Sequence, residues 1–290
     1  FNGSFWGEWP RECRTLAAAQ ASAYWKETAQ AREAHAFFQY LFFGQWNQIK
    51  EYAHQSGIHI IGDAPIFVAM DSTDVWASPQ WFEMAEPGKP DAVAGVPPDY
   101  FAVKGQLWGN PLYDWSALEA DGYQWWIDRL KSNFTTFDAV RLDHFRGFYD
   151  YWAIPADAKD ARSGEWRPGP GEAFFREVAR QIPEARIIAE DLGDIDQEVR
   201  DFRDRLELPG MAILQFAFGG GADNLYLPHN LVPHSVLYPG THDNNTTLGW
   251  YQSAPRTEQD HVRRYLGVDG RQIAWDLVRA AYAAVSHLAV

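Results

Sequence analysis

The sequence predicts an α/β protein built from parallel βα units, and two observations carry that expectation. Three short apolar runs each lead to an acid: Asp138-Ala-Val-Arg-Leu-Asp143, Arg186-Ile-Ile-Ala-Glu190 and Ser235-Val-Leu-Tyr-Pro-Gly-Thr-His-Asp243. Between them lie segments whose apolar residues recur at helical spacing, and strands alternating with helices pair in parallel. An acid that closes such a strand stands at its C-terminal edge, where parallel sheets and barrels gather their catalytic groups.

The elements follow in order. From Glu12 to Gln55 the chain is rich in Ala, Gln and Glu, with Phe37, Phe38, Leu41 and Ile49 at helical spacing and a stop at Gly57, so one or two helices are expected. Ile58-His-Ile-Ile-Gly-Asp63 reads as a short buried strand ending on a further acid. Residues 64–115 carry several Pro and Gly without strong periodicity. A connection this long is more often functional than accidental, and it is assigned as an excursion covering the active site. A helix over 123–130 leads into the strand ending at Asp143; helices over 171–181 and 195–206 then alternate with strands over 186–190, 211–217 and 235–241. The stretch from Arg271 is helical, and Ser286-His-Leu-Ala-Val290 reads as the opening of another strand. Five strands are counted in this way, whereas a closed (β/α)8 TIM barrel takes eight. The expectation is one catalytic domain over 1–290, an incomplete (β/α)8 TIM barrel.

Composition excludes several classes. With 290 residues and 46% hydrophobic content the chain can bury one large core. The 39 acids against 25 basic residues give a formal charge of -14, which opposes binding to phosphate backbones or anionic lipid, so no nucleic acid or membrane partner is expected. No run reaches the roughly 20 apolar residues of a membrane span. Cys13 is the single cysteine, no internal disulfide can form, and the chain is read as cytoplasmic. The start Phe-Asn-Gly-Ser-Phe-Trp has no initiator Met and reads as a cut end. Aromatic content stands out, with 14 Trp, 13 Tyr and 18 Phe. Trp76, Trp81, Tyr100, Phe101, Trp108, Tyr113 and Trp115 fall in one polar, Pro/Gly-rich stretch, and flat apolar faces beside carboxylates and amides suit sugar rings.

The spacing also assigns chemistry. Side chains alternate along a strand, so Arg141 and Asp143 share a face, and a guanidinium beside a carboxylate keeps it ionised, as a nucleophile must be. Glu190 has an apolar approach and the like charge of Asp191 beside it, both of which favour the protonated form that a general acid needs. Asp243 lies in Gly240-Thr-His-Asp-Asn, with His242 a second polar group at the same edge. Two acids with divergent proton affinities are what glycoside cleavage requires. A carboxylate/His metal cage from Asp63, Asp143, Glu190, Asp243, His144 and His242 is disfavoured, because no tight ligand motif is present and Arg141 competes with a cation. No phosphate-binding loop appears, and Gly219-Gly-Gly221 lacks dinucleotide spacing.

The chain resembles the amylomaltases, the 4-α-glucanotransferases of glycoside hydrolase family 77, relatives of the α-amylase superfamily. The matching stretches are Gly62-Asp-Ala-Pro-Ile-Phe-Val with Asp71-Ser-Thr-Asp-Val-Trp76, Ala94-Gly-Val-Pro-Pro-Asp-Tyr-Phe with Gly105-Gln-Leu-Trp-Gly-Asn-Pro-Leu-Tyr113, Arg141-Leu-Asp-His-Phe-Arg-Gly147, Ala189-Glu-Asp-Leu-Gly193 and Gly240-Thr-His-Asp-Asn244. The resemblance implies a retaining mechanism in which Asp143 forms a glucosyl-enzyme, Glu190 acts as acid and then base, and Asp243 steadies the transition state. It implies substrate-binding roles for Asp63, Arg141, Asp191 and His242, and a substrate-covering loop with Asp99, Tyr100, Phe101, Gln106 and Trp108. It implies α-1,4-glucan and maltooligosaccharide donors and acceptors, and no cofactor and no metal. Asn245 departs from the pattern, which usually has an acid there, and family members are longer, so the resemblance implies a central piece of the (β/α)8 barrel with N-terminal strands and the last strand missing. The alternatives are an α-amylase-type retaining hydrolase, with the same acids and water as acceptor, and an inactive glucan-binding fragment.

Overall fold

Two strands that carry sequence-selected acids pair in parallel in the first part of the chain; one closes on Asp143, whereas the other runs past Asp63 to Pro65 instead of ending on the acid. In the computed structural model, which describes residues 1–99, 102–193 and 195–290, β1 (Ile61–Pro65) lies beside β6 (Ala139–Asp143), with Asp63 opposite Arg141 and Pro65 opposite Asp143. The Asp138 N–H donates to Ile60 O at 2.8 Å and the Val140 N–H to Arg186 O at 2.9 Å, so the flanking backbone is satisfied. Gly62 allows the close approach: a Cβ there would fall 2.0 Å from the Phe137 ring. The described chain divides into two units, Phe1–Ile187 and Ile188–Val290.

In the first unit, α1 (Leu16–Ala21), α2 (Ala23–Glu27) and the long α3 (Ala29–Gln55) precede β1. The helical spacing read over 12–55 is therefore borne out, but α3 buries no residue, and Phe37, Phe38, Tyr40 and Phe42 are exposed. It is tied down at its C-terminal half, where Trp46 Nε1 donates to Thr136 O at 2.9 Å and Lys50 Nζ to Thr135 O and Phe137 O at 3.2 Å each. The strand expected from Ile58 starts later. Gly57, at φ +70, turns the chain out of α3 and leaves Ile58 exposed, so pairing begins only at Ile61.

Residues 64–115 contain more regular structure than their Pro and Gly content suggests. After β1 come α4 (Thr73–Ala77), β2 (Met84–Glu86), β3 (Lys89–Pro90), β4 (Ala92–Val96), β5 (Gln106–Pro111) and α5 (Trp115–Ala120). α6 (Gln124–Thr136) then leads into β6, followed by β7 (Asp150–Pro155), β8 (Glu165–Pro168) and α7 (Gly171–Gln181). β4, β5, β7 and β8 form an antiparallel sheet in the order β5-β4-β7-β8. Two of its strands come from beyond β6, so the pairing joins segments that sequence periodicity treats separately. Gly105, at φ +66, closes the β4–β5 connection where a Cβ would meet Val96 O at 2.3 Å.

The core of this unit is aromatic. Trp126, Phe148 and Phe174 are fully buried, and the Phe148 and Phe174 rings stack at 5.2 Å; burying side chains of this size contributes roughly 2–3 kcal/mol each. Tyr113 and Trp115, expected as candidate sugar platforms, belong to this core: Tyr113 Oη donates to Ile66 O at 2.7 Å and both side chains are buried. Trp76 and Trp81 are part-buried, and Trp76 Nε1 donates to Cys13 O at 2.8 Å.

β9 (Ile187–Ala189) runs through the division between units. The second unit continues with α8 (Gln197–Arg205), β10 (Gly210–Ile213), β11 (Ser235–Tyr238), α9 (Thr247–Ser253), α10 (Arg256–Leu266), α11 (Ile273–Tyr282) and β12 (Leu288–Ala289). β10, β11 and β12 form a parallel ladder, Met211 opposite Val236 and Val236 opposite Leu288, so the final residues do enter a strand. The sheet packs on Leu214, Phe218, Leu237, Val262 and Leu277, with the apolar stripes of α10 and α11 facing inward. The fold is mixed α/β; no closed barrel forms among the described residues, whose strands lie in separate short sheets. Among the described residues, no helix is long and apolar enough to cross a membrane.

Candidate active site

In the first unit the parallel register builds a three-membered charge cluster. Asp63 and Arg141 are ladder partners, and Arg141 and Asp143 point the same way two residues apart. Arg141 therefore reaches both acids. Its Nε donates to Asp63 Oδ1 at 2.9 Å and its Nη2 to Asp63 Oδ2 at 2.7 Å, while Nη2 also lies 2.9 Å from Asp143 Oδ1. The guanidinium side chain is 8% exposed, whereas the acids keep 40% and 37% of their side-chain surface open. The cation is buried beneath two accessible carboxylates, and each oxygen–nitrogen contact is short enough to be a charge-assisted hydrogen bond. Arg141 is thus the counter-cation of both Asp63 and Asp143.

His144, the next residue, sits in the left-handed region at φ 50 and ψ 52, which ends the strand there. The Trp108 ring meets it edge-on, with centroids 4.9 Å apart, and Phe67 lies 6.4 Å from both rings. Burial against these rings pushes the imidazole down to about 4, with the Arg146 charge acting in the same direction, so His144 is neutral at neutral pH. Trp108, on β5, is 38% exposed, and its Nε1 donates to Gln106 Oε1 at 3.0 Å. Asn110 Nδ2 donates to Val68 O at 2.9 Å, fastening β5 to the segment after β1. The outcome is an aromatic wall around His144, the residue after Asp143, with the Trp108 indole partly exposed.

Asp99 shapes its own loop: its carboxylate accepts from the Ala102 N–H, and its own N–H donates to Ala102 O at 3.2 Å. The Gly105 N–H donates to the same carbonyl at 2.7 Å. Tyr100 and Phe101, expected in the substrate-covering loop, lie outside the described residues.

The second unit carries the other sequence-selected groups. Glu190 follows β9 directly, is part-buried, and its Oε1 accepts from the Leu192 N–H at 3.0 Å. The Asp191 side chain is 5% exposed, and its carboxylate accepts from the Met211 N–H at 2.8 Å and pairs with Arg203 from α8. Asp191 thus joins α8 to β10 through an internal ion pair, so the like charge beside Glu190 carries a counter-charge from Arg203. Sequence adjacency could not reveal this, because the partner lies a helix away. Tyr226 is a group that sequence reasoning missed: burial and the negative charges of Asp191 and Glu190 hold its phenol protonated, pushed up to about 12.

Asp243 and His242 stand on an exposed turn after β11, with His242 Nε2 3.3 Å from Asp243 Oδ1 and about two thirds of each side chain open. The turn is preorganised: Asn244 Oδ1 accepts from the Thr241 N–H at 2.9 Å and lies 3.0 Å from Thr241 Oγ1, and the Asp243 N–H donates to Thr241 Oγ1 at 3.3 Å. Asn245, the departure from the family pattern, has its carbonyl bound by Gln215 Nε2 at 3.1 Å, which anchors the end of the turn through backbone chemistry. His144 was legible as a polar neighbour of Asp143, but only its left-handed backbone and the Trp108 contact mark it as part of the site.

Comparison with known proteins places the chain in a family. The family model described as 4-alpha-glucanotransferase, glycoside hydrolase family 77, matches residues 1–290. A 4-alpha-glucanotransferase of Thermus thermophilus is 48% identical over 98% of this chain and 59% of its own length. The chloroplastic/amyloplastic 4-alpha-glucanotransferase DPE1 of Arabidopsis thaliana is 42% identical over 100% of this chain and 50% of its own length. An amylomaltase from Streptococcus agalactiae, solved in complex with acarbose, superposes with a TM-score of 0.94 at 36% identity, covering 100% of this chain and 59% of that one. The chain thus spans between half and three fifths of the length of these relatives. With the family's sequence pattern matched from its first residue to its last, this chain belongs to glycoside hydrolase family 77, the 4-alpha-glucanotransferases.

Proposed function

We propose that this chain supplies the catalytic groups of a 4-alpha-glucanotransferase that moves α-1,4-glucan segments between maltooligosaccharides with retention at the anomeric carbon. The observation that carries the reading is Arg141 buried beneath the two open carboxylates of Asp63, within β1, and Asp143, at the C-terminal end of β6. Asp143 attacks the anomeric carbon while Glu190 gives its proton to the glycosidic oxygen, so the C–O bond breaks and a glucosyl ester forms on Asp143. Glu190, now a carboxylate, takes the proton of an acceptor sugar hydroxyl; that oxygen attacks the anomeric carbon and releases Asp143. Asp243, with His242, accepts hydrogen bonds from sugar hydroxyls as positive charge develops, and Asp63 and Arg141 hold the reacting glucose. Asp99, Gln106 and Trp108, with Tyr100 and Phe101 of the same loop, cover the glucan and keep water from competing with the acceptor. Binding of acarbose by the Streptococcus relative supports an oligosaccharide site.

The parallel ladders of β1 with β6 and of β10 to β12 support reading residues 1–290 as part of a (β/α)8 barrel, one catalytic domain with 64–115 as its covering excursion. The lone, buried Cys13 thiol supports a cytoplasmic protein. The test is Asp143→Ala in the enzyme, with maltotriose as donor and acceptor. Wild type should yield glucose together with longer oligosaccharides, and a fluorinated glucosyl donor should label Asp143; the variant should do neither. Transfer surviving in Asp143→Ala sinks the double-displacement scheme, and wild-type products that are only shorter than maltotriose favour a hydrolase.

A further inference from the structure

The opposite end of the β1–β6 ladder carries a second cluster that the glucan chemistry does not use. His54 lies in the last turn of α3; Gly57, at φ +70, reverses the chain; His59 follows two residues before β1, and Asp138 immediately precedes β6. Because β1 and β6 run in parallel, these residues sit at the strands' N-terminal ends, whereas Asp143 closes β6 at the opposite end.

Three observations bear on what this cluster holds. His54 Nε2 lies 2.8 Å and 3.0 Å from the two Asp138 oxygens, and His59 Nδ1 lies 3.8 Å from Asp138 Oδ2. One ligand atom from each of the three residues falls within 4.8 Å of the others, the one such cluster among the described residues. Donors around a tetrahedral zinc, with bonds of about 2.0–2.1 Å, stand roughly 3.3 Å apart, inside that range. Second, Asp138 is oriented by backbone: the Ile60 N–H donates to its Oδ2 at 2.7 Å while its own N–H donates to Ile60 O at 2.8 Å. Metal-ligating carboxylates are held by outer hydrogen bonds of this kind. Third, the C-terminal end of α3 directs partial negative charge toward the cluster, which favours a cation. One group opposes it, since Lys50 Nζ is 3.6 Å from Asp138 Oδ1, retained by the carbonyls of Thr135 and Phe137.

We propose that His54, His59 and Asp138 form a binding site for a late first-row divalent cation such as Zn²⁺, with water completing the coordination. The ion joins the end of α3 to the start of β1 and β6, and the Lys50 charge keeps its affinity below that of a four-ligand structural site. The experiment is calorimetric titration of Zn²⁺ alone into the chelator-treated protein, comparing wild type with His54→Ala, His59→Ala and Lys50→Gln, each first checked for an unchanged thermal midpoint in chelator. Wild type should bind one ion per chain saturably, with a midpoint that rises on adding Zn²⁺. Either histidine variant should bind on the order of 100-fold more weakly, and Lys50→Gln about tenfold more tightly. Zinc bound equally well by the histidine variants, as ligation by the His234 and His287 pair would produce, overturns the assignment. Absence of saturable binding in wild type overturns it as well.

Discussion

His144 offers the sharpest quantitative test of the site's electrostatics. Its imidazole is lowered from an ordinary 6.5 to about 4 by burial against Trp108 and Phe67, with Arg146 adding to the effect. Above pH 6.5 the ring is neutral both folded and unfolded, and it contributes no pH dependence. Between about 6.5 and 4 the unfolded chain binds a proton that the folded one refuses, so stability is present at neutral pH and falls as the pH drops through this window. Each pH unit costs about 1.4 kcal/mol, giving about 3 kcal/mol over the window, and partial solvent access to the ring trims this to roughly 2 kcal/mol. His144→Asn removes the titration while keeping a residue type that tolerates the left-handed backbone. Urea unfolding at pH 7 and pH 4.5 should show wild type losing roughly 2 kcal/mol more than the variant, since the other histidines and the carboxylates titrate in both and cancel. NMR titration of the His144 Cε1 proton should give a midpoint near 4. A midpoint near 6.5, or equal acid sensitivity in the two proteins, would show that the ring is solvated and that the wall built by Trp108 and Phe67 is open.

Further outcomes follow from the other groups. Glu190→Gln in the enzyme should lower transfer from unactivated maltooligosaccharides by roughly 10²–10⁴-fold while sparing the first step with donors bearing activated leaving groups; steady-state and burst kinetics on both donor types measure this, and equal losses contradict the acid role. Trp108→Ala should raise the ratio of hydrolysis to transfer and lower kcat/KM about fivefold, the equivalent of about 1 kcal/mol for one lost stacking face; an unchanged product ratio would return Trp108 to a structural role. Arg203→Met should leave the buried Asp191 carboxylate without its counter-charge and cost about 3 kcal/mol or more in chemical unfolding, whereas Asp191→Asn combined with it should recover part of the loss. Near-neutral stability in Arg203→Met would mean that Asp191 is not held as an internal ion pair.

Local chemistry made much of this legible. A strand with period two that ends on an acid can be recognised from a few residues, and the shared face of Arg141 and Asp143 follows from alternation alone; the 2.9 Å contact is its consequence. α7 occupies Gly171–Gln181 as its spacing indicates, because an amphipathic helix depends on its own periodicity. The family could be named from motifs because glycine, acid and aromatic residues at fixed spacing are local as well.

What the sequence left open depends on partners distant in the chain. The β5-β4-β7-β8 sheet joins segments on either side of β6, and its short, Gly- and Pro-containing strands carry little periodicity of their own, so pairing is decided only when the chain folds back. Aromatic residues are ambiguous in composition: Tyr113 and Trp115 went to the core and Trp108 to an open wall, a division set by which neighbours cover each ring. Asp191 could be read beside Glu190 as a like charge, yet Arg203 from α8 converts it into an internal ion pair. Strand and helix identity arise from residues a few positions apart, and the sequence by itself determined them here; burial, ion pairing and proton affinity arise from atoms brought within a few ångströms across long sequence separations, and those only the tertiary structure decided.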